Sequence, residues 1–322
     1  MTDAPLLRTA VVGVGHLGRH HARLLATMPG TQFVAAVDLD RARAEAAVAG
    51  TAAEALVDHR DLFGRVDAVT VAVPTAAHLD VARAFLDQGI HVLVEKPMAT
   101  SVAEADALLA AAARRGVTLA VGHVERFNPA IEAALAVLQQ PRFIEIDRLS
   151  GFPERSLDID VIFDVMIHDL DLVLAIDRSG VASVEAVGVP VLTSRVDIAN
   201  ARVRFASGCI ANVTASRISR DQVRKVRCFQ PDMYVSVDAG ARELEVWRLR
   251  RSDGVRPAIE GGPVEVEQDE PLRRELADFV DAVRTGRPPR VTGEAGRDAL
   301  ALAARVTRAI EAGPVATGGQ AG

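Results

Sequence analysis

Thr9-Ala10-Val11-Val12-Gly13-Val14-Gly15-His16-Leu17-Gly18 is the stretch that decides the fold of this chain. Residues 9–13 read as a short buried strand, and from His16 to Met28 the leucines at 17, 24 and 25 recur with helical spacing. Between strand and helix, Gly13 permits a tight turn, Gly15 lets backbone approach a pyrophosphate, and Gly18 allows close helix–strand packing. The helix that follows aims its free N–H groups and positive dipole end at the phosphates. A lone glycine triplet of this kind is a weak signal. Here it follows a strand, opens a helix and starts a β-α-β unit, and Asp38 closes the second strand (33–37) about 20 residues past the last glycine. A carboxylate there accepts hydrogen bonds from a ribose diol and repels a 2′-phosphate, so NAD is expected and NADP disfavoured. Arg41 and Arg43 read as solvated charges on the next helix.

Outward from this stretch the period keeps alternating. An Ala/Arg-rich helix follows Asp38. Strands are expected at 66–73, 90–94 and 117–122, with helices at 76–88 and 101–115 between them. Continuous apolar strands separated by helices predict a doubly wound parallel sheet with both faces covered. After Gly122 the pattern changes. A helix (129–138), a strand (143–149), a polar loop (150–156) and a longer helix (159–176) precede alternating runs at 184–191, 198–205, 210–216, 223–229, 234–237 and 244–249. Strands in succession predict a large, mainly antiparallel open sheet in an α+β domain. Helices at 272–283 and 295–310 complete it. The expected division is a Rossmann domain over 1–122, a substrate-binding and oligomerisation domain over 123–316, and a flexible tail at 317–322.

Composition narrows the function. A chain of 322 residues, 49% hydrophobic and 25% charged, accommodates two soluble domains. A net charge of -6 argues against nucleic acid or a membrane surface as partner. Residues 1–5 lead almost directly into the first strand with no signal-peptide pattern, no apolar run is long enough to span a bilayer, and a cytoplasmic enzyme is expected. Cys209 and Cys228 form neither a disulfide framework nor a metal-like cluster, and no metal is expected.

Ligands of doubly wound sheets sit beyond the carboxyl ends of the strands. Pro74-Thr75 and Glu95-Lys96-Pro97 fall on that edge. A lysine shielded from water beside an oxidised nicotinamide can relay a proton or polarise a hydroxyl; standing alone, it reads better as a surface lysine at a strand end. Asp164 and His168 stand at i and i+4 on one helical face, where an imidazole can take a hydroxyl proton while the carboxylate orients it. The competing reading is an incidental histidine on a helix with solvated Asp169, Asp171 and Asp177.

The run Gly13 to Ala22, Val73-Pro74-Thr75 with His78, Glu95-Lys96-Pro97 and Asp164 through Asp171 resembles, in order and over nearly the whole chain, the Gfo/Idh/MocA oxidoreductases. The resemblance implies oxidation or reduction of a sugar or polyol carbon, with Lys96, Asp164 and His168 as the catalytic lysine, aspartate and histidine. It implies cofactor contacts from Gly13, Gly15, His16, Leu17, Gly18, Asp38, Pro74, Thr75, His78, Glu95, Lys96 and Pro97. It also implies assembly, as a homodimer or homotetramer, through the C-terminal sheet. Met166 departs from the glycine that many members carry between the Asp and His, which would narrow the pocket.

Arg126 and Asn128, in Gly122-His123-Val124-Glu125-Arg126-Phe127-Asn128-Pro129, are the expected substrate contacts alongside Lys96, Asp164 and His168. Arg126 can fork onto a carboxylate or phosphate and Asn128 can exchange hydrogen bonds with sugar hydroxyls; a hinge with a helix-start signal is the alternative. The run looks like that of family members acting on UDP-N-acetylglucosamine, which oxidise its 3-hydroxyl ahead of an aminotransferase. Arg217, Arg220, Arg224, Lys225 and Arg227 would suit an anionic substrate, though a strand edge or subunit interface explains them as well. The expectation is an NAD-dependent dehydrogenase of a sugar nucleotide. The alternatives are a free polyol dehydrogenase of the inositol type and a non-catalytic dinucleotide-binding regulator.

Overall fold

A computed structural model describes residues 5–152, 159–251 and 257–313 of the chain. The loop expected at 150–156 lies partly, and the tail expected at 317–322 wholly, outside the described residues. Contacts divide the chain into two compact units, described in turn.

The first unit begins with strands β1 (Leu7–Val12), β2 (Thr31–Val37), β3 (Glu54–Leu56), β4 (Ala68–Val71), β5 (His91–Glu95) and β6 (Leu119–Gly122). They form one parallel sheet in the order β3-β2-β1-β4-β5-β6, the doubly wound order of a dinucleotide-binding fold. The central strand β4 is buried throughout, Thr70 as well as its apolar neighbours, as expected of a strand covered on both faces. Helices α1 (Gly18–Leu25), α2 (Arg41–Val48), α3 (His78–Asp87) and α4 (Val102–Arg115) make the crossovers. The ends of α4 are set locally. The Ser101 side chain accepts from the Glu104 N–H, and Gly116 takes the left-handed conformation that stops the helix.

In the second unit α5 (Pro129–Val137) precedes β7 (Phe143–Leu149). A single π-helical turn (Ile162–Met166) runs into α6 (Ile167–Ile176). Then come β8 (Val181–Val189), β9 (Ile198–Phe205), β10 (Ile210–Ser216), β11 (Val223–Gln230), β12 (Met233–Asp238), β13 (Glu243–Arg250) and β14 (Ala258–Val264). The sheet order is β14-β13-β12-β11-β7-β10-β9-β8, antiparallel except where β10 pairs parallel with β7.

The chain does not break once near Gly122. The first unit extends through Phe127 and regains residues 269–300. The reason is apolar: α7 (Pro271–Thr285) places Leu276, Phe279 and Val280 in the same core as Val11, Leu24, Leu25 and Leu93. Helix α8 (Gly293–Ala312) gives its first turns to the first unit, where Gly296 lies so close to Val121 that a Cβ would come within 2.4 Å of it. Residues from 301 onward belong to the second unit.

Candidate active site

The glycine turn has the geometry a dinucleotide needs. Gly13 adopts a φ of +85° and sits so close to β4 that a Cβ would meet the Ala72 and Val73 backbone at 2.7 Å. A Cβ on Gly18 would lie 1.8 Å from the Gly13 carbonyl oxygen. A Cβ on Gly15, by contrast, would meet nothing within 4 Å, leaving open space over the backbone where a pyrophosphate can approach. His16 and Leu17 are exposed beside it. Asp38 ends β2 half-buried, its Oδ2 accepting from the Val14 N–H at 3.0 Å and its Oδ1 from the Asp40 N–H at 3.0 Å. Each oxygen keeps a second lone pair, so the carboxylate that braces the turn can also accept from a ribose diol. Leu39 next to it is 94% exposed, an apolar surface the sequence reading passed over. The residues present therefore fit NAD.

Lys96 follows the last residue of β5 on the carboxyl edge of the sheet and is half-buried. Its peptide bond to Pro97 is cis. Glu95, before it, is buried, with Oε1 at 2.9 Å from the Nε2 of His21 on α1 and Oε2 accepting from the Lys96 N–H at 3.3 Å. Burial opposes the Glu95 charge, but the His21 hydrogen bond and the charges of His21 and Lys96 outweigh it and hold the carboxyl below the usual carboxylate range. His78 is buried at the start of α3, with Nδ1 2.9 Å from the Pro97 carbonyl and Nε2 2.9 Å from the Val73 carbonyl. Burial pushes its imidazole below the ordinary histidine value, against the pull of both carbonyls and of Glu95. Glu95 and His78, expected as cofactor contacts, thus face the protein. Pro74 is exposed and Thr75 half-buried on the neighbouring loop.

Arg126 is buried near the end of the first unit, and Arg290 donates to its carbonyl at 3.4 Å while stacking 4.9 Å over the Phe127 ring. Burial, and then the Arg126 charge, lower the pKa of Arg290. The sequence reading missed Arg290, which stands 164 positions from its partner.

In the second unit Asp164 lies within the π turn and His168 at the start of α6, both half-buried. A π turn carries one residue more than an α turn, which leaves positions i and i+4 close to one face. Met166 is fully buried, so its side chain fills core rather than narrowing an accessible pocket. Asp169, Asp171 and Asp177 are buried rather than solvated. Asp169 takes Arg148 in a two-pronged pair at 2.8 and 2.7 Å, and Asp177 accepts from Ser179. Asn128 caps α5: its Oδ1 accepts from the Ala130 N–H at 3.1 Å and its Nδ2 donates to the Ala239 carbonyl at 2.9 Å. The helix-start reading accounts for Oδ1, while Nδ2 is taken by the Ala239 backbone 111 positions away. The basic run at 217–227 is not one anion-binding patch. Arg217 is buried in an ion pair with Asp197 at 2.9 Å, Arg227 bonds Glu145 and Asp147, and Arg220, Arg224 and Lys225 are exposed. Arg217 and Arg220 lie between β10 and β11, and on β11 the successive Arg224 and Lys225 face opposite sides of the sheet, so the five charges do not share one face.

The strand order, the open glycine turn and the carboxylate just past β2 are those of a dinucleotide-binding domain of the doubly wound class. Residues 7–123 match the model of the oxidoreductase family with an NAD-binding Rossmann fold. Over 310 residues the chain is 40% identical to the UDP-N-acetylglucosamine 3-dehydrogenase of Acidithiobacillus ferrooxidans, covering 95% of this chain and 98% of that one. The scyllo-inositol 2-dehydrogenase (NAD(+)) of Bacillus subtilis is 27% identical over 311 residues, 89% of each chain. A solved structure of the Acidithiobacillus enzyme superposes with a TM-score of 0.89 at 38% identity, covering 96% of this chain and 99% of that one. The chain belongs to the Gfo/Idh/MocA oxidoreductase family.

Proposed function

We propose that this protein is an NAD-dependent dehydrogenase of a sugar nucleotide, oxidising the 3-hydroxyl of UDP-N-acetylglucosamine. The observation that carries the reading is the 40% identity, sustained over 95% of the chain, to an enzyme named for that reaction. When bound, NAD supplies the hydride acceptor. The secondary alcohol then loses a hydride from carbon and a proton from oxygen, becoming a ketone. Lys96 and His168 are the groups assigned to that proton, with Asp164 orienting the imidazole or the hydroxyl. The turn at Gly13–Gly18 holds the pyrophosphate of the cofactor and Asp38 its ribose diol, with Leu39 offering the adjoining base an apolar face. Arg126 is assigned to the substrate's phosphates, with Arg290 beside it as a second cation.

The test is NADH formation with UDP-N-acetylglucosamine, inositol and glucose in parallel, with a carbonyl trap present because oxidation of an alcohol by NAD is uphill. Turnover on the UDP-sugar alone is expected. Turnover confined to inositol would replace the reading with the polyol dehydrogenase that the Bacillus relative represents. Arg126→Ala should raise KM for the UDP-sugar about tenfold or more, as loss of a charge-assisted hydrogen bond worth ~1.5–3 kcal/mol implies; an unaffected KM would take Arg126 out of the site.

Two further parts of the reading concern setting. Both cysteines are free and buried, which suits a reducing, cytoplasmic compartment. Among the described residues no helix is long and apolar enough to cross a membrane. The face of the second unit's sheet that bears Phe143, Phe229, Tyr234 and Trp247 is the proposed contact between copies of the chain.

A further inference from the structure

Resting on the assignment of Lys96 to the proton, we propose that His21 and His78 are positioning residues that grip the Lys96 turn from its two sides. Each holds a group directly next to Lys96 in the chain. His21, on the helix that follows the glycine turn, bonds the Glu95 carboxylate at 2.9 Å. His78, on the helix that follows Pro74-Thr75, bonds the Pro97 carbonyl at 2.9 Å. The two elements expected to hold the dinucleotide thereby fix the backbone on either side of the one amine at this strand end.

Packing alone does not account for these histidines. The His21 ring is fully buried and its Nδ1 has no hydrogen-bond partner among the described residues, so the bond to Glu95 is its only compensated polar contact. A buried ion pair is often replaceable by apolar side chains without loss of stability. Glu95 is confined as well, since a Cβ on Gly122 would come within 3.0 Å of its carboxylate. The carboxylate is thus held between β6 and His21, with the Lys96 N–H on its other oxygen. At His78 both ring nitrogens face carbonyl oxygens, at Pro97 and Val73. A neutral ring donates to one of them at a time. The grip on the Lys96 turn requires that one to be Pro97, through Nδ1–H.

That requirement gives the test its direction. In place of histidine, asparagine puts an amide N–H near the Nδ1 position and glutamine puts one near Nε2. His78→Asn should therefore keep the bond to Pro97, and His78→Gln only the bond to Val73. His21→Gln should keep the donor to Glu95. Turnover and NAD dissociation constants are measured for these variants, for both alanine variants and for Lys96→Ala. We expect His21→Ala and His78→Ala to lower kcat about 10- to 100-fold, the usual cost of losing the support of a reacting group, with NAD affinity largely kept. His21→Gln and His78→Asn should recover most of it and His78→Gln should not.

A second readout needs no turnover. Of the 37 lysines and arginines only Lys96 and Lys225 are lysines, and Lys225 is exposed on β11 in the other unit. Trace acetylation followed by peptide mass analysis gives the Lys96:Lys225 labelling ratio with an internal reference. The ratio should rise in His78→Ala and His78→Gln and stay at the wild-type value in His78→Asn. Equal kcat in His78→Asn and His78→Gln, or unchanged kcat and labelling in every histidine variant while Lys96→Ala collapses, would overturn the grip and leave the role of Lys96 standing. Normal turnover by Lys96→Ala would overturn both.

Discussion

Asp38 acts on two partners at once. Its oxygens accept backbone N–H groups of Val14 and Asp40, so the carboxylate proposed to select the cofactor also braces the turn proposed to hold it. Replacing it with serine keeps a short polar side chain but removes the charge that a 2′-phosphate would meet. Asp38→Ser is expected to narrow the NAD/NADP ratio in kcat/KM about tenfold or more, from the ~1.5–3 kcal/mol of a hydrogen bond to a charged group. An unchanged ratio would remove Asp38 from the site. The positions of Asp38 and Lys96 at strand ends were legible in the sequence, Asp38 from its spacing after the glycine turn and Lys96 from the apolar run just before it. His21 was not, since Glu95 lies 74 positions away and only the fold reveals the pair.

At the level of elements, the start of the helix carrying Asp164 and His168 is held by an ion pair distant in sequence. Asp197 Oδ2 accepts from the N–H groups of Val191, Leu192 and Thr193 at 2.7 to 2.9 Å, and Oδ1 accepts from Arg217. Arg217 in turn donates to the Ile159 carbonyl at 2.7 Å, just ahead of the π turn. Burial works against the Asp197 charge, but the Thr193, Leu192 and Val191 hydrogen bonds outweigh it and hold the carboxyl well below the usual range. A folded pKa depressed in this way stabilises the protein above the unfolded value near 3.8, and that contribution is lost as the pH falls toward the folded value. Asp197→Asn leaves the buried guanidinium without its counter-charge, and urea titration at neutral pH should show a loss of about 3–5 kcal/mol. Below pH ~4 the difference from the wild type should shrink, because the wild-type aspartate then loses the same contribution. A constant difference across that range would show that the charge is not what matters. The strands in this region were easy to read where burial alternates, as in β7, β9 and β10, whose observed limits equal the expected ones. β14 was missed because it is an edge strand containing Gly261, Gly262 and Pro263, mostly exposed and without alternation. The three-residue β3 offers too little pattern, and a π turn adds a residue without disturbing the apolar spacing that announced the helix.

For the whole molecule, the sequence indicated a parallel sheet followed by a mainly antiparallel one, and both are present. It did not indicate that α7 returns to the first core, because an amphipathic helix shows in its pattern that it has an apolar face and not which sheet will cover it. The same limit applies to the surface proposed to meet another copy. Phe143, Phe229, Tyr234 and Trp247 are register partners on β7, β11, β12 and β13 and so share one sheet face. Ring centroids lie 5.7 Å apart for Phe143 and Phe229 and 5.0 Å apart for Phe229 and Tyr234, and Trp247 is 36% exposed. A half-exposed aromatic row flanked by the Arg227 pairs with Glu145 and Asp147 has the apolar centre and charged rim of an association surface. Two-fold pairing would set the row against its own copy. Trp247 is the only tryptophan in the chain, so its emission reports on this face alone. Sedimentation at micromolar concentration should give a dimer or tetramer. Tyr234→Asp should weaken association by about 2 kcal/mol or more, roughly 30-fold, with tryptophan emission shifting to the red as water reaches the row. A monomeric wild type, or a variant that assembles as before with unchanged emission, would show that this face does not join the copies.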